Sequence, residues 1–277
     1  MSRLEPNNEE MAQPRYPACL SVVVPVYNEG ATLGEVLDKL LKVPCLLEVI
    51  IVDDCSTDTT PQVAHDLTRA HSQVKCVRHK RNAGKTAALR TGFALTKGEI
   101  VIVQDADLEY DPTDIYGVIQ PILAGQADVV FGSRFLVRRA TRVLYFYHFL
   151  ANKVLTFLSN AMTNLNMTDI ETGYKAFRGE IIRNMLIVSS GFGFEVEVTA
   201  KIAKLNVAIY EVPISYYGRT YEEGKKIVFM DGLIAIWLVL RFNLFCSLRS
   251  SFVQVPELRR KPRRMPELAP DSRERAE

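Results

Sequence analysis

Four short apolar runs, each ending in polar or charged residues, set the rhythm of this chain. Ser21-Val22-Val23-Val24-Pro25-Val26 leads into Tyr27-Asn28-Glu29, and Leu47-Glu48-Val49-Ile50-Ile51-Val52 into Asp53-Asp54. Ile100-Val101-Ile102-Val103 leads into Asp105-Ala106-Asp107, and Asp128-Val129-Val130-Phe131-Gly132 into Ser133-Arg134. β-Branched runs of this length, bounded by glycine or acidic residues, predict buried strands. Helical spacing fills the stretches between them. Leu33, Val36, Leu37 and Leu40 make one apolar stripe within residues 32–41. Ser56-Thr57-Asp58-Thr59-Thr60-Pro61 supplies a cap and an early proline for a helix ending near Ala70. Further helices are predicted over residues 86–96 and 112–123, with a short strand over 74–78. Strand and helix alternate, and polar residues collect where the strands end. That is the layout of an α/β domain whose mainly parallel sheet opens a ligand crevice at its carboxyl edge. Past Arg134 the pattern turns helical and apolar-aromatic, then strand-like again over residues 208–217.

Asp105-Ala106-Asp107 carries the sharpest chemistry. Residues two apart on extended chain share a face, so both carboxylates can leave the strand toward the crevice. Two hard oxygen ligands suit Mg²⁺ or Mn²⁺ bound jointly with a diphosphate, because such ions take few protein ligands plus substrate oxygens. An acidic segment after a strand is, on its own, more often a turn or a helix cap. Gly84-Lys85-Thr86 invites a phosphate-loop reading, but that motif needs a glycine five positions before Gly84, where His79 stands.

Composition narrows the field. The 277 residues are 48% apolar and 24% charged with net charge +2, an ordinary globular balance that makes no case for nucleic acid. The 5 cysteines show no CxxC pairing and are odd in number, which favours reduced thiols over a disulfide framework. The 4 histidines fit no zinc spacing. Residues 1–17 are polar and lack the apolar core of a signal peptide, and they read as a flexible tail. Residues 256–277 alternate proline with arginine and glutamate and are expected to be disordered. No run reaches the ~18 apolar residues of a membrane-spanning helix.

Taken in order, the segments around Pro25 to Glu29, Asp53-Asp54, Asn82 to Lys85, Asp105 to Asp107 and Arg134 resemble the motifs of family-two inverting glycosyltransferases. The likeness is narrower to the dolichyl- and polyprenyl-phosphate mannose and glucose synthases, and covers residues 21–231. It implies a Rossmann-like GT-A fold with a mixed, mainly parallel central sheet, a domain over residues 18–226 and C-terminal amphipathic helices. A nucleotide-diphospho-sugar donor would lie against Pro25, Tyr27, Glu29, Asp53 or Asp54, Lys85, and Asp105-Ala106-Asp107. The last of these would hold Mg²⁺ or Mn²⁺ with Glu109, which stands where the resembling motif has glutamine. Glu109 reads equally well as a turn residue. Asp169, in Asp169-Ile170-Glu171-Thr172-Gly173, matches the acceptor-side loop. Arg134, Arg219, Lys225 and Lys226 are the cations expected around an acceptor phosphate, and Asp105, Asp107, Asp169, Arg134 and Arg219 the residues expected to carry catalysis. A phosphate monoester, with a second pKa near ~6, is already ionised at neutral pH and needs no base. Asp169 is therefore expected to orient the acceptor or a cationic neighbour. Glu197 also matches a position of the resembling family, and reads equally as a helix-start carboxylate.

A membrane surface is the remaining partner. Val143, Phe146, Tyr147, Leu150, Val154, Phe157, Leu158, Met162 and Leu165 recur at three-four spacing within residues 141–165, with Arg138, Arg139 and Arg142 just upstream. That composition suits a helix lying in a bilayer interface, although a core-packing helix has the same period. Residues 227–250 form a second apolar helical stretch. The expectation is a peripheral enzyme on the cytosolic face of a membrane that transfers a hexose from GDP-mannose or UDP-glucose to a polyprenyl phosphate. Transfer to a hydroxyl acceptor and non-catalytic nucleotide-sugar binding are the competing readings. A homo-oligomer and a separate anchor protein both stay open.

Overall fold

The computed structural model describes residues 17–136, 145–191, 193–218 and 229–257. Seven strands form one mixed sheet in the order β3-β2-β1-β4-β6-β5-β7. They are β1 (Leu20–Val26), β2 (Leu46–Asp53), β3 (Val74–Arg78), β4 (Ile100–Val103), β5 (Val129–Ser133), β6 (Lys175–Arg178) and β7 (Ile209–Pro213). Only β6 runs antiparallel, wedged between β4 and β5. The other pairings are parallel.

Alternation along the strands builds two cores. Val22, Val24, Val49, Ile51 and Ile102 face one side and meet Leu33, Val36, Leu37 and Leu40 of α1 (Leu33–Leu40), Ala64 of α2 (Thr60–Ala70) and Val118 of α4 (Ile115–Leu123). Val23, Val101, Val103, Phe131 and Phe177 face the other. They meet Leu89 and Phe93 of α3 (Lys85–Leu95), Ile181 of α6 (Gly179–Asn184), and Phe194 and Val198 of α7 (Phe194–Ile202). Both faces are covered, which is why the strands read as unbroken apolar runs and not as alternating ones. Helix α3 lies so close to β1 that a Cβ on Gly92 would stand 2.3 Å from Val23 Cγ1.

The region expected to meet a membrane folds as α5 (Phe146–Thr163), which packs against α8 (Phe229–Leu244). Leu155 and Ser159 of α5 turn inward, while Phe146, Tyr147, Leu150, Val154 and Phe157 stay exposed. Leu233, Ile234 and Trp237 of α8 are exposed as well. Among the described residues no helix is long and apolar enough to cross a membrane. Arg138, Arg139, Arg142, Arg219, Lys225 and Lys226 lie outside the described residues.

Candidate active site

The cleft opens at the carboxyl ends of β1, β2 and β4. It has a volume of about 300 Å³ and is lined by Pro25, Val26, Tyr27, Glu29, Asp54, Lys85, Ala88, Asp105, Ala106 and Asp107. The loop after β1 is stapled to the start of α2. Asn28 N–H donates to Ser56 Oγ at 3.0 Å, and Glu29 N–H to Thr60 Oγ1 at 2.9 Å. Asn28 itself is left-handed, with φ 57°.

The two aspartates ending β2 divide their work. Asp53 lies beneath the loop, accepting from Ser56 N–H at 2.8 Å and pairing with Arg78 at 3.1 Å. It is therefore the capping member of the pair and does not line the cleft. Asp54 reaches the cleft, but its oxygens already accept from Ala83 N–H (3.0 and 3.1 Å) and Gly84 N–H (2.7 Å). It also contacts His79 Nδ1 at 2.6 Å. The amides at the head of α3, which would bind phosphate in a phosphate loop, are here turned onto this carboxylate.

Lys85 Nζ stands 2.9 Å from each oxygen of Asp105 and 3.5 Å from Glu195. Burial works against its charge, but Asp105 and Glu195 outweigh it and raise the lysine's pKa. Asp107 behaves in the opposite way. Desolvation, with the charges of Asp105 and Glu109 added, pushes its carboxyl up to about 7. Carboxylates crowded so that one resists ionisation make a site that a divalent cation would relieve. Among the described residues no three ligand-type side chains form a ready-made ion cradle. The donor set fits Mg²⁺ or Mn²⁺ held by Asp105 and Asp107, with substrate phosphates completing the shell. Glu109 is drawn toward another partner, since its Oε2 accepts from Tyr216 O–H at 2.8 Å.

The loop over residues 168–173, expected on the acceptor side, comes directly against this centre. A Cβ at Gly173 would meet Asp105 Oδ2 at 2.6 Å, so only glycine lets the loop approach so closely. In that loop Asp169, fully buried, grips Arg134 by two oxygens: Nε to Oδ2 at 2.7 Å and Nη2 to Oδ1 at 2.8 Å. The Arg134 backbone N–H and Asn152 of α5 each add a donor at 3.2 Å. Burial alone would raise the Asp169 carboxyl, but the Arg134 charge and these hydrogen bonds hold it below its ordinary value. It stays ionised and spoken for.

Glu197 is likewise engaged. It accepts from Val188 and Ser189 N–H at 2.7–3.1 Å and pairs with Lys201, so it braces the loop before α7 and does not cap its own helix. Several positions packed around the site carry no local signal in the sequence. Glu211 of β7 holds the acceptor loop through Thr168 N–H and Asp169 N–H at 2.9 and 3.2 Å. Lys175 is buried and donates to Ile170 C=O at 3.0 Å. Desolvation brings Lys175 down to about 8, while the Glu171 carboxyl rises to about 7 through burial and the Glu195 charge. Among the described residues, one buried oxygen of each glutamate, Glu171 Oε1 and Glu195 Oε2, meets no hydrogen-bond partner.

Comparison with known proteins gives the family and the fold. Residues 21–186 match the family Glycosyl transferase family 2. The chain is 30% identical over 213 residues to an undecaprenyl-phosphate mannosyltransferase of Micrococcus luteus, covering 73% of this chain and 85% of that one. It is 28% identical over 211 residues to a polyprenol monophosphomannose synthase of Mycolicibacterium smegmatis, covering 74% and 79%. In fold it is similar to glucosyl-3-phosphoglycerate synthase from Mycobacterium tuberculosis, solved with Mn²⁺, UDP and phosphoglyceric acid. That likeness has a TM-score of 0.63 at 21% identity and covers 83% of this chain and 80% of that one.

Proposed function

The chain belongs to glycosyl transferase family 2 and is a glycosyltransferase of the GT-A fold; from that premise we propose that its acceptor is a polyprenyl phosphate. It would take a hexose from GDP-mannose or UDP-glucose, with inversion, at the cytosolic face of a membrane. The observation that carries this reading is the Arg134–Asp169 pair. A half-buried arginine, its side chain 13% exposed, donates two hydrogen bonds to Asp169 beside the donor cleft, and that aspartate is already committed to it. Such a site offers a cation, and neither Asp169 nor Glu197 is available as a base. That matches an acceptor which arrives ionised.

The residues then divide as follows. Pro25, Tyr27, Glu29 and Asp54 hold the nucleoside end of the donor. Asp105 and Asp107, with Glu109 as a third candidate oxygen ligand, hold the divalent cation, and Lys85 faces the diphosphate. When bound, the cation supplies charge neutralisation for the departing diphosphate oxygen. Arg134, joined by Arg219, Lys225 and Lys226, directs an acceptor phosphate oxygen at the anomeric carbon. The new C1–O–P bond forms as the bond to the diphosphate oxygen breaks from the opposite face. The unpartnered oxygens of Glu171 and Glu195 offer acceptors for hexose hydroxyls, since a buried acceptor left unmade costs about 1–3 kcal/mol. The exposed apolar faces of α5 and α8 give the lipid substrate a membrane surface to arrive from.

One observation favours transfer to a hydroxyl instead. Glu171, with its carboxyl near 7, has the affinity a general base needs. The readings separate when the full chain is incubated with Mn²⁺, membrane lipid extract and radiolabelled GDP-mannose, UDP-glucose or UDP-N-acetylglucosamine. The proposal expects label in the organic phase from one hexose donor, with Glu171→Gln retaining a rate that is flat above about pH 7, where the phosphate acceptor is ionised. Label confined to the aqueous phase, abolished by Glu171→Gln, would overturn it.

A further inference from the structure

We propose that Tyr216 couples the cation site at Asp105 and Asp107 to the phosphate site at Arg134, so that filling either site tightens binding at the other. The inference rests on the donor and acceptor assignments above and adds a positioning residue to them. Tyr216 follows β7 and is buried, 6% exposed. Its hydroxyl donates to Glu109 Oε2 at 2.8 Å, and the Arg134 guanidinium sits 5.2 Å over its ring. One side chain therefore touches both the carboxylate-bearing loop and the acceptor cation. The contact is reinforced along the backbone. Tyr110 and Tyr216 form an isolated antiparallel bridge, and Tyr217 N–H donates to Glu109 C=O at 2.8 Å.

The loop that Tyr216 grips is held in a costly shape. Leu108, between Asp107 and Glu109, has φ 61°, a left-handed conformation that bulky residues avoid. Contacts on both sides hold it there: Glu109 N–H donates to Asp107 Oδ1 at 3.0 Å, and Tyr216 O–H and Tyr217 N–H both reach Glu109. Strained segments near functional sites persist only when their surroundings over-determine them. Such a segment has few alternative arrangements, so a change at Asp107 passes to Glu109 and then to the ring beneath Arg134.

Linkage requires the coupling to be reciprocal. The test measures Mn²⁺ binding to the full chain by electron paramagnetic resonance, with and without geranyl phosphate. Inorganic phosphate serves as a probe lacking the lipid chain. In wild type each phosphate probe should tighten Mn²⁺ about fivefold or more, and Mn²⁺ should tighten the phosphate by the same factor. Tyr216→Phe keeps the ring and loses the hydroxyl; it should bind both ligands with a factor near one. Glu109→Gln weakens the same link from its other end and should lower the factor too. A wild-type factor surviving in Tyr216→Phe would overturn the proposal, as would independent binding in wild type. Failure of wild type to bind Mn²⁺ or phosphate at all would instead remove the site assignments beneath it.

Discussion

Replacing Asp169 with Asn isolates the energetics of the Arg134–Asp169 pair. The carboxylate is fully buried and receives Arg134 through Nε and Nη2, the Arg134 backbone N–H at 3.2 Å, and Asn152. Asparagine keeps the shape but removes the charge, and its amide N–H₂ would face guanidinium donors. Breaking one side of a buried pair costs about 3–5 kcal/mol, because the surviving charge is left uncompensated. At roughly 2–4 °C per kcal/mol for a domain of this size, the melting temperature should fall by about 10 °C. The sign with pH follows from a folded-state pKa held below the ordinary 3.8. Stability from such an acid is present above its unfolded value and lost as pH falls through the folded one. The gap between wild type and variant should therefore stay flat from about pH 8 to 5 and close only below about 4. Differential scanning fluorimetry across that range reads both the size and the shape. A variant melting within about 2 °C of wild type at neutral pH would refute the reasoning, since that is under 1 kcal/mol.

Asp107→Asn should lower turnover by about 10²–10³, as for other lost electrostatic contacts to developing charge, while excess EDTA should silence wild type; near-normal turnover in EDTA would contradict the cation reading. Lys85→Met should raise the donor KM and weaken UDP or GDP binding in calorimetry, while leaving affinity for geranyl phosphate alone unchanged. Neutralising Arg138, Arg139 and Arg142 together should weaken sedimentation with anionic vesicles by about two decades, from about 1 kcal/mol per cation near the surface. Undiminished sedimentation would mark α5 as an ordinary packing helix.

How much was legible from residues alone depended on where each partner sits in the chain. The strands β1, β2, β4 and β5 announced themselves because they are covered on both faces, so burial and apolar sequence coincide. Strand β6 did not: it is four residues long and opens on Lys175, a buried lysine satisfied by carbonyls of its own loop. Asp105 and Asp107 were readable as a pair because period two puts them on one face. The division of labour between Asp53 and Asp54 was not, because it is set by Arg78, Ala83 and Gly84, which only the fold brings near. The same holds for Glu109, whose tyrosine partner lies 107 residues away, and for Asp169, steadied by Glu211 at a separation of 42. Helix α5 shows the limit of periodicity, because its three-four repeat runs from exposed Phe146, Tyr147, Leu150, Val154 and Phe157 to half-buried Leu158 and Met162, while the buried Leu155 and Ser159 lie outside it.

The central claim is that the acceptor atom is a phosphate oxygen. It is tested most directly by ³¹P nuclear magnetic resonance of the product formed from geranyl phosphate, the preferred nucleotide-sugar and Mn²⁺. The account predicts conversion of the phosphomonoester signal to a phosphodiester coupled to the anomeric proton, in the β configuration. An unchanged monoester signal, with the sugar linked to a hydroxyl carbon of another acceptor, would contradict it.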